Sequence, residues 1–529
     1  MKRGVPLFKM LRRKQLTKKE NQLETTKDAH GFPIEIFLDV QKNIENIQKI
    51  LNTPSDLVTR EFTVGNTKQR CAIVCIDGLV DQTTINDKII RNIQLGMANS
   101  GKEIPASGEE LLKEFENHVL SAIEVKKLNT LDQVMQSVLS GDTALFVQGT
   151  DQVLLIGSKG WASRGVNEPS TEALVRGPRD GFTENLRTNT AHIRRHIRDP
   201  NLRFENFSVG RRSKKDLVLT YIDGIVHPDL VGEVKRRIKT IDLDDAPESG
   251  FIEQWLEDSF LSPFPTLSPT ERPDKVCAAL TQGKVGLLLD GTPFALVAPI
   301  TFGNLLQSPE DYYERWWVGT FLRFLRYFGA FLAVFLPGLY IALVSYHPGM
   351  IPSKLAFSIA AAREGVPFPA VIEALVMITV LELLREAGIR LPKPIGQTIG
   401  IVGGLVIGEA AVSAGIVSPV MVIVVALTAI SSFSVPSYSL AITFRILVYG
   451  MMFLAAGFGL FGLILGYIMI NIHLVNLKSF GIPYSTPFAP SFYADWKDLI
   501  LRAPIMMIGK RPIMMQVDDE KRMRKGGKS

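Results

Sequence analysis

The side chains with most to offer chemically lie in the apolar half of the chain. Glu409 is a carboxylate inside a long apolar stretch, and at about 100° per residue it shares a helical face with Thr398, Val402, Leu405 and Ser413. That face is polar at both ends and apolar in the middle. A carboxylate within a bilayer costs ~2.5–3.5 kcal/mol on insertion scales, so it is expected to face water or a partner. A symmetric ring of such helices would line a cation-attracting pore with Val402 and Leu405 as its constriction. The competing reading sets Glu409 near the interface or pairs it with Arg445 inside the bundle. Opposite this face, Gly396, Gly400, Gly404 and Gly408 recur every four residues, and Gly462 and Gly466 repeat the device. Such stripes let another helix approach to backbone contact. Glu373, with Arg445, is a second intramembrane polar candidate, suited to an ion or proton relay. Glu382 has Arg385 three residues on and reads as a local ion pair at a helix end.

The polar half offers less chemistry. No Gly-x-x-x-x-Gly-Lys-Ser/Thr is present, and the Asp-Gly turns at Asp77, Asp223 and Asp290 serve strand ends without catalysis. His192 and His196 share a helix face, but the intervening Arg194-Arg195 points to a solvated basic helix rather than to zinc. Cys71, Cys75 and Cys277 cannot make a disulfide framework and read as small buried apolar residues. The expectation is therefore no enzyme, no metal and no cofactor.

The elements that must position these residues divide the chain in two. Residues 327 to 346 are almost uncharged, and at ~1.5 Å each such a run spans a ~30 Å hydrocarbon core. Trp316, Trp317, Tyr327 and Tyr346 stand at headgroup depth, and Arg323 and Arg326 anchor the cytoplasmic end. Residues 353 to 363 form a short helix lying in the interface. A second crossing, Pro367 to Leu384, ends before the cations Arg385, Arg390 and Lys393. The apolar run from 395 to 434 breaks at Ser418-Pro419, and another run covers 446 to 472. Counted singly these give an odd number of spans. The positive-inside rule prefers an even one, so one segment is expected to be re-entrant or the last run to bend at its glycines.

The polar half carries an internal repeat of about 145 residues. Cys75-Ile76-Asp77-Gly78-Leu79-Val80 returns as Tyr221-Ile222-Asp223-Gly224-Ile225-Val226, each followed by a helical pattern. Thr143 to Thr150 with Val153 to Ile156 returns as Val285 to Thr292 with Phe294 to Val297, each a hairpin around a glycine turn. The fold class expected is an α/β cytoplasmic region of two related subdomains plus an all-α, multi-span transmembrane helical bundle. The divisions are a basic disordered segment 1–32, subdomains 33–160 and 161–317, a transmembrane domain 318–476 and a basic cytoplasmic tail 477–529. The stretch from Ser262 to Pro273 reads as an extended connector. The net charge of +6 is carried mostly by the ends, with eight Lys/Arg in residues 1–20 against Glu20 alone. Basic ends beside a membrane suggest anionic lipid rather than nucleic acid.

Several long strings then carry a resemblance: Arg363-Glu364-Gly365-Val366-Pro367-Phe368-Pro369, Leu383 to Gly388, Gln397 to Gly408, Ser418 to Val425, Ala429 to Phe433, Asp498 to Pro504 and Arg511-Pro512. Together they resemble the A-subunit family of spore germinant receptors, over about residues 60 to 512. The resemblance implies a multi-pass subunit in the spore inner membrane, with its large N-terminal region in the cytoplasm. It further implies a homo-oligomeric channel for monovalent cations, working with a transporter-like B subunit and a lipoprotein C subunit to start germination when nutrients are sensed. Accessory germination proteins share these strings. Ile378 after Met377 and Ile505-Met506 after Pro504 depart from the family pattern. A secondary transporter or a membrane-anchored signalling scaffold is the alternative from another class.

Overall fold

The computed structural model describes residues 35–64, 69–94, 107–119, 125–160, 168–169, 171–390 and 408–523. The chain folds into two units. The first comprises Met1–Glu257, Pro269–Pro299 and Gly509–Ser529, and the second Asp258–Ser268 and Ile300–Ile508.

The first unit is built from the repeat. Its opening copy contains α1 (Val40–Leu51), β1 (Leu57–Thr63), β2 (Arg70–Ile76), α2 (Gly108–Glu114), β3 (Val125–Leu128), α3 (Leu131–Val138), β4 (Thr143–Val147) and β5 (Val153–Ile156). The next contains α4 (Leu186–His196), β6 (Leu202–Val209), β7 (Lys215–Ile222), α5 (Pro228–Ile238), α6 (Ser249–Leu256), β8 (Ser268–Thr270), α7 (Pro273–Thr281), β9 (Val285–Leu289) and β10 (Ala295–Ala298). The helical stretch Thr84–Ile90 follows β2 as α5 follows β7. The strand orders are β1-β2-β4-β5-β3 and β6-β7-β9-β10-β8, so the two sheets are the same topology written twice.

Strands such as Cys71 to Ile76 are apolar throughout because both sheet faces are covered. Ala72, Val74 and Ile76 meet Ile47, Leu51 and Val134 on one face. Cys71, Ile73 and Cys75 meet Ile89, Leu111 and Phe115 on the other. The three cysteines are free and buried, and burial drives Cys71 and Cys277 up to about 12 and Cys75 to about 11. Both glycine-turn hairpins are present, with Thr143 opposite Ile156 and Val285 opposite Ala298.

Helix α4 is not the solvated basic helix expected. Arg194 is fully buried and holds Asp56 of the first copy with two bonds of 3.0 Å, while His192 is 4% exposed. Arg203 adds a second tie, donating to the Leu51 carbonyl at the end of α1. The partner of Arg194 stands 138 residues away, beyond the reach of any local pattern.

The second unit contains α8 (Trp316–Ser345), α9 (Ser353–Arg363), α10 (Ala370–Arg390), α11 (Pro419–Phe433) and α12 (Tyr438–Asn476). Helices α8 and α12 are long and apolar enough to cross a membrane. Helix α12 is two arms, because Gly459 has φ 60° and ψ −139°, a conformation essentially confined to glycine. The chain doubles back there: a Cβ on Gly466 would lie 2.6 Å from Met451 Sδ, a distance that no straight helix allows. The Gly459 turn lies against Tyr346 and His347, just past α8.

Two stretches that read as connector and tail have other places. Phe264 and Leu267 are buried, Pro263 O accepts from Thr443 Oγ1, and Thr266 O accepts from Ser479 Oγ at 2.6 Å. The segment before β8 is thus part of the helical unit's core. Residues 477–508 belong to the helical unit, whereas 509–523 return to the first unit.

Candidate functional site

Polar side chains of the helical unit gather at two places along α10, its first turn and a point beyond its middle. Glu373 lies in its first turn and is fully buried. Arg363, the last residue of α9, places Nη2 3.0 Å from Glu373 Oε1. The Ser418 N–H donates to Glu373 Oε2 at 3.0 Å. Ser418 caps α11 by accepting from Met421 N, with Pro419 preset at the first helical position. The Glu373 carboxylate therefore sits at a helix N-terminus, where the backbone dipoles favour a negative charge. Tyr340 of α8 completes the cluster, its hydroxyl 3.4 Å from Ser418 Oγ. One carboxylate links α9, α10 and α11, and losing it would leave Arg363 without its ion-pair partner.

Beyond the middle of α10, Glu382 accepts from Arg385 at 2.9 Å and lies 3.7 Å from Arg445. Arg385 stacks on Phe433, and Arg445 lies over Tyr438. The sequence reading grouped Glu373 with Arg445, and the structure does not. Nine residues at ~1.5 Å each put about 13 Å of helix between Glu373 and Glu382, and Arg445 belongs to the latter. Arg445 is equally not the partner of Glu409.

Of the expected pore face, Thr398, Val402 and Leu405 lie outside the described residues, as do Gly396, Gly400 and Gly404. Glu409 and Ser413 are exposed, and Gly408 is buried near Val422. Gly462 and Gly466 pack against Leu454 and Met451, so their close neighbour is the other arm of the same helical hairpin.

A third cluster went unread in the sequence. Arg323, 1% exposed, donates to Asp311 Oδ2 at 2.9 Å and to the carbonyl of Asp498, and Arg326 donates to Asp311 Oδ1 at 2.7 Å. Tyr312 donates to Asp498 Oδ1 at 2.8 Å, and Arg502 lies over its ring. Burial first, and then Asp498, push the Tyr312 phenol well above its ordinary range. Arg323 and Arg326 are thus held by internal carboxylates, not by headgroups. The signal was present in Asp498-Leu499-Ile500-Leu501-Arg502, whose acid and base are now seen to clasp the start of α8. Among the described residues no group of three or more His, Cys, Asp or Glu side chains could hold a metal ion.

These features define an α/β repeat protein joined to an apolar helical unit with carboxylates at its helix ends. A sequence model described as the Bacillus/Clostridium GerA spore germination protein matches residues 45–514, so the chain belongs to that family, the A subunits of spore germinant receptors. It is 48% identical over 489 residues to spore germination protein GerLA of Bacillus cereus, covering 92% of this chain and 98% of that one. It is 43% identical over 492 residues to the uncharacterized membrane protein YfkQ of Bacillus subtilis strain 168, covering 93% of each. The crystal structure of the N-terminal domain of the A subunit of the Bacillus megaterium spore germinant receptor GerK3 is similar, with 32% identity and a TM-score of 0.41. That likeness covers 51% of this chain and 98% of that domain.

Proposed function

We propose that this chain is a germinant-receptor A subunit that couples nutrient sensing to ion release as part of an oligomeric cation channel. Its place is the spore inner membrane, with the duplicated α/β region in the cytoplasm and with B and C subunits as partners. The two-armed form of α12 supports this topology: a hairpin adds the extra crossing that brings the chain end back to the side of the Lys/Arg-rich termini. The exposure of Glu409 and Ser413, one turn apart, carries the channel reading. A dry intrachain partner for Glu409 would have closed the path, and among the described residues it forms no ion pair. Thr398, Val402 and Leu405 continue that face, the last two as its constriction, and Gly396, Gly400 and Gly404 supply the packing stripe against a neighbouring copy.

The test is potassium efflux from liposomes carrying the purified protein. Val402→Ala is expected to raise the leak, and Glu409→Gln to lower preference for cations over anions by about tenfold, a change of ~1.4 kcal/mol. Unchanged leak and selectivity in both variants would leave a membrane-anchored scaffold as the better reading.

A further inference from the structure

The first unit holds a cavity of about 220 Å³ where the two copies of the repeat meet. Its floor is apolar, from Leu79 and Leu139 of the first copy, and its far wall is the end of α4, with His192, Arg195 and His196 followed by Arg198. Asp180 is the lone acid among the lining residues. The walls are fixed on both sides. Gly78, at φ +85°, lies against α4 so closely that a Cβ there would be 3.0 Å from the Arg187 carbonyl oxygen, and Arg187 reaches Asp77 at 3.5 Å. Gly141, at φ +97°, fits beneath Leu79 in the same way. The buried Arg194–Asp56 pair locks the same helix to the same copy.

One polar atom of this wall is unaccounted for. His192 Nε2 is buried and finds no hydrogen-bond partner among the described residues, on a side chain 4% exposed. A buried polar atom left unpaired costs ~1–3 kcal/mol, and this one stands on a residue that lines the cavity. Three further cationic or basic side chains against one acid make the cavity attractive to an anion. The volume is below the ~300 Å³ at which pockets for drug-sized molecules begin, which suits a group of a few heavy atoms. We propose that this cavity binds a small anion, a carboxylate or a phosphate, bridging the two copies of the repeat.

The charge groups facing His192 give the binding a pH signature. Burial and the neighbouring Arg195 and His196 hold it below the usual histidine range, against the pull of Asp180. An anion beside the ring opposes those effects and favours the protonated form, so binding takes up a proton and tightens as pH falls. This inference stands apart from the channel reading, since it concerns only the α/β region.

The experiment is titration calorimetry of the full chain in lipid nanodiscs with succinate, inorganic phosphate and glycerol. Saturable binding of succinate alone assigns a carboxylate, of phosphate alone a phosphate group, and of both the shared anionic chemistry. Arg198 is exposed, so Arg198→Glu should leave folding intact while weakening binding about tenfold or more. His192→Gln should reduce the tightening at lower pH, and His192→Gln with His196→Gln should abolish it. No saturable binding of either anion, equal binding of glycerol, or unchanged affinity in Arg198→Glu would overturn the proposal.

Discussion

At the scale of single residues, the buried charges set the sharpest expectations. Asp56 and Arg194 form a bidentate pair with 3% and 0% side-chain exposure. Such a pair adds little over an apolar replacement, but removing one partner strands a charge in a dry seam at a cost of roughly 3–5 kcal/mol. Asp56→Ala should therefore lower the denaturation midpoint of the α/β region strongly, and Arg194→Met added to it should recover much of the loss. A double variant no better than the single would remove the stranded charge as the cause. Glu253 supplies a pH dependence. Burial, then Glu257 and Glu248, hold its carboxyl at about 8 against an ordinary 4.5. Between those values the folded chain keeps a proton the unfolded chain has released, so stability falls as pH rises through that window. Glu253→Gln removes the penalty. Its gain in melting temperature over the parent should be near zero below pH 4.5, grow through the window and level off above pH 8, and a gain independent of pH would point to another cause. Neither was legible in the sequence. Arg194 and Glu253 look like ordinary surface charges on amphipathic helices; a partner 138 residues away meets the first, and partial burial beside Glu257 and Glu248 raises the second.

At the scale of elements, the periodic patterns spoke plainly. The Asp-Gly strand ends and glycine-turn hairpins of the repeat place both sheets, because a tight turn fixes the register of the two strands it joins. The helix break at Ser418-Pro419 was equally legible, since a capping serine before a proline both ends one element and starts the next. What the pattern could not choose was which glycine turns α12, for Gly450, Gly457, Gly459, Gly462 and Gly466 all interrupt an apolar run. The backbone settles it: only Gly459 among them has positive φ, and the others are ordinary helix. A Cβ there would also lie 3.1 Å from Tyr346 Cβ. Gly459→Val should cost about 1–3 kcal/mol from strain alone and sharply reduce folded protein in membranes, whereas Gly450→Ala, with open space around it, should be tolerated. Equal yields from the two variants, measured by detergent-resistant fluorescence of a fused reporter, would count against a hairpin.

At the scale of the whole molecule, the order of the chain is not the order of the units. Composition draws one boundary near the first apolar helix, yet the chain passes from one unit to the other at residues 257/258, 268/269, 299/300 and 508/509. Composition misses these passages because residues 258–268 and 477–508 are polar or proline-rich, while their burial depends on a few anchors such as Phe264 and Tyr484. The end of the chain matters most for this argument. Residues 509–523 fall in the stretch 477–529 that reads as a basic tail suited to anionic lipid, but Arg511 is engaged internally: its Nε donates to the Thr281 carbonyl at 2.8 Å, and its Nη1 holds Asp519 at 2.7 Å. Val517 closes over Gly283, where only a missing side chain leaves room, and the Asp518 N–H reaches the Ile225 carbonyl. The tail is thus a brace on the second copy of the repeat. Ending the chain at Ile508 should expose the end of α7 and the turn after β7, so amide exchange at 280–286 and around 225 should quicken by about tenfold or more, while exchange in α8 stays as it was. Arg511→Ala in the full chain should give a smaller change at the same amides. A tail that served lipid alone would leave those amides untouched and instead weaken binding to anionic vesicles, so exchange in the truncated protein separates the brace from the membrane anchor.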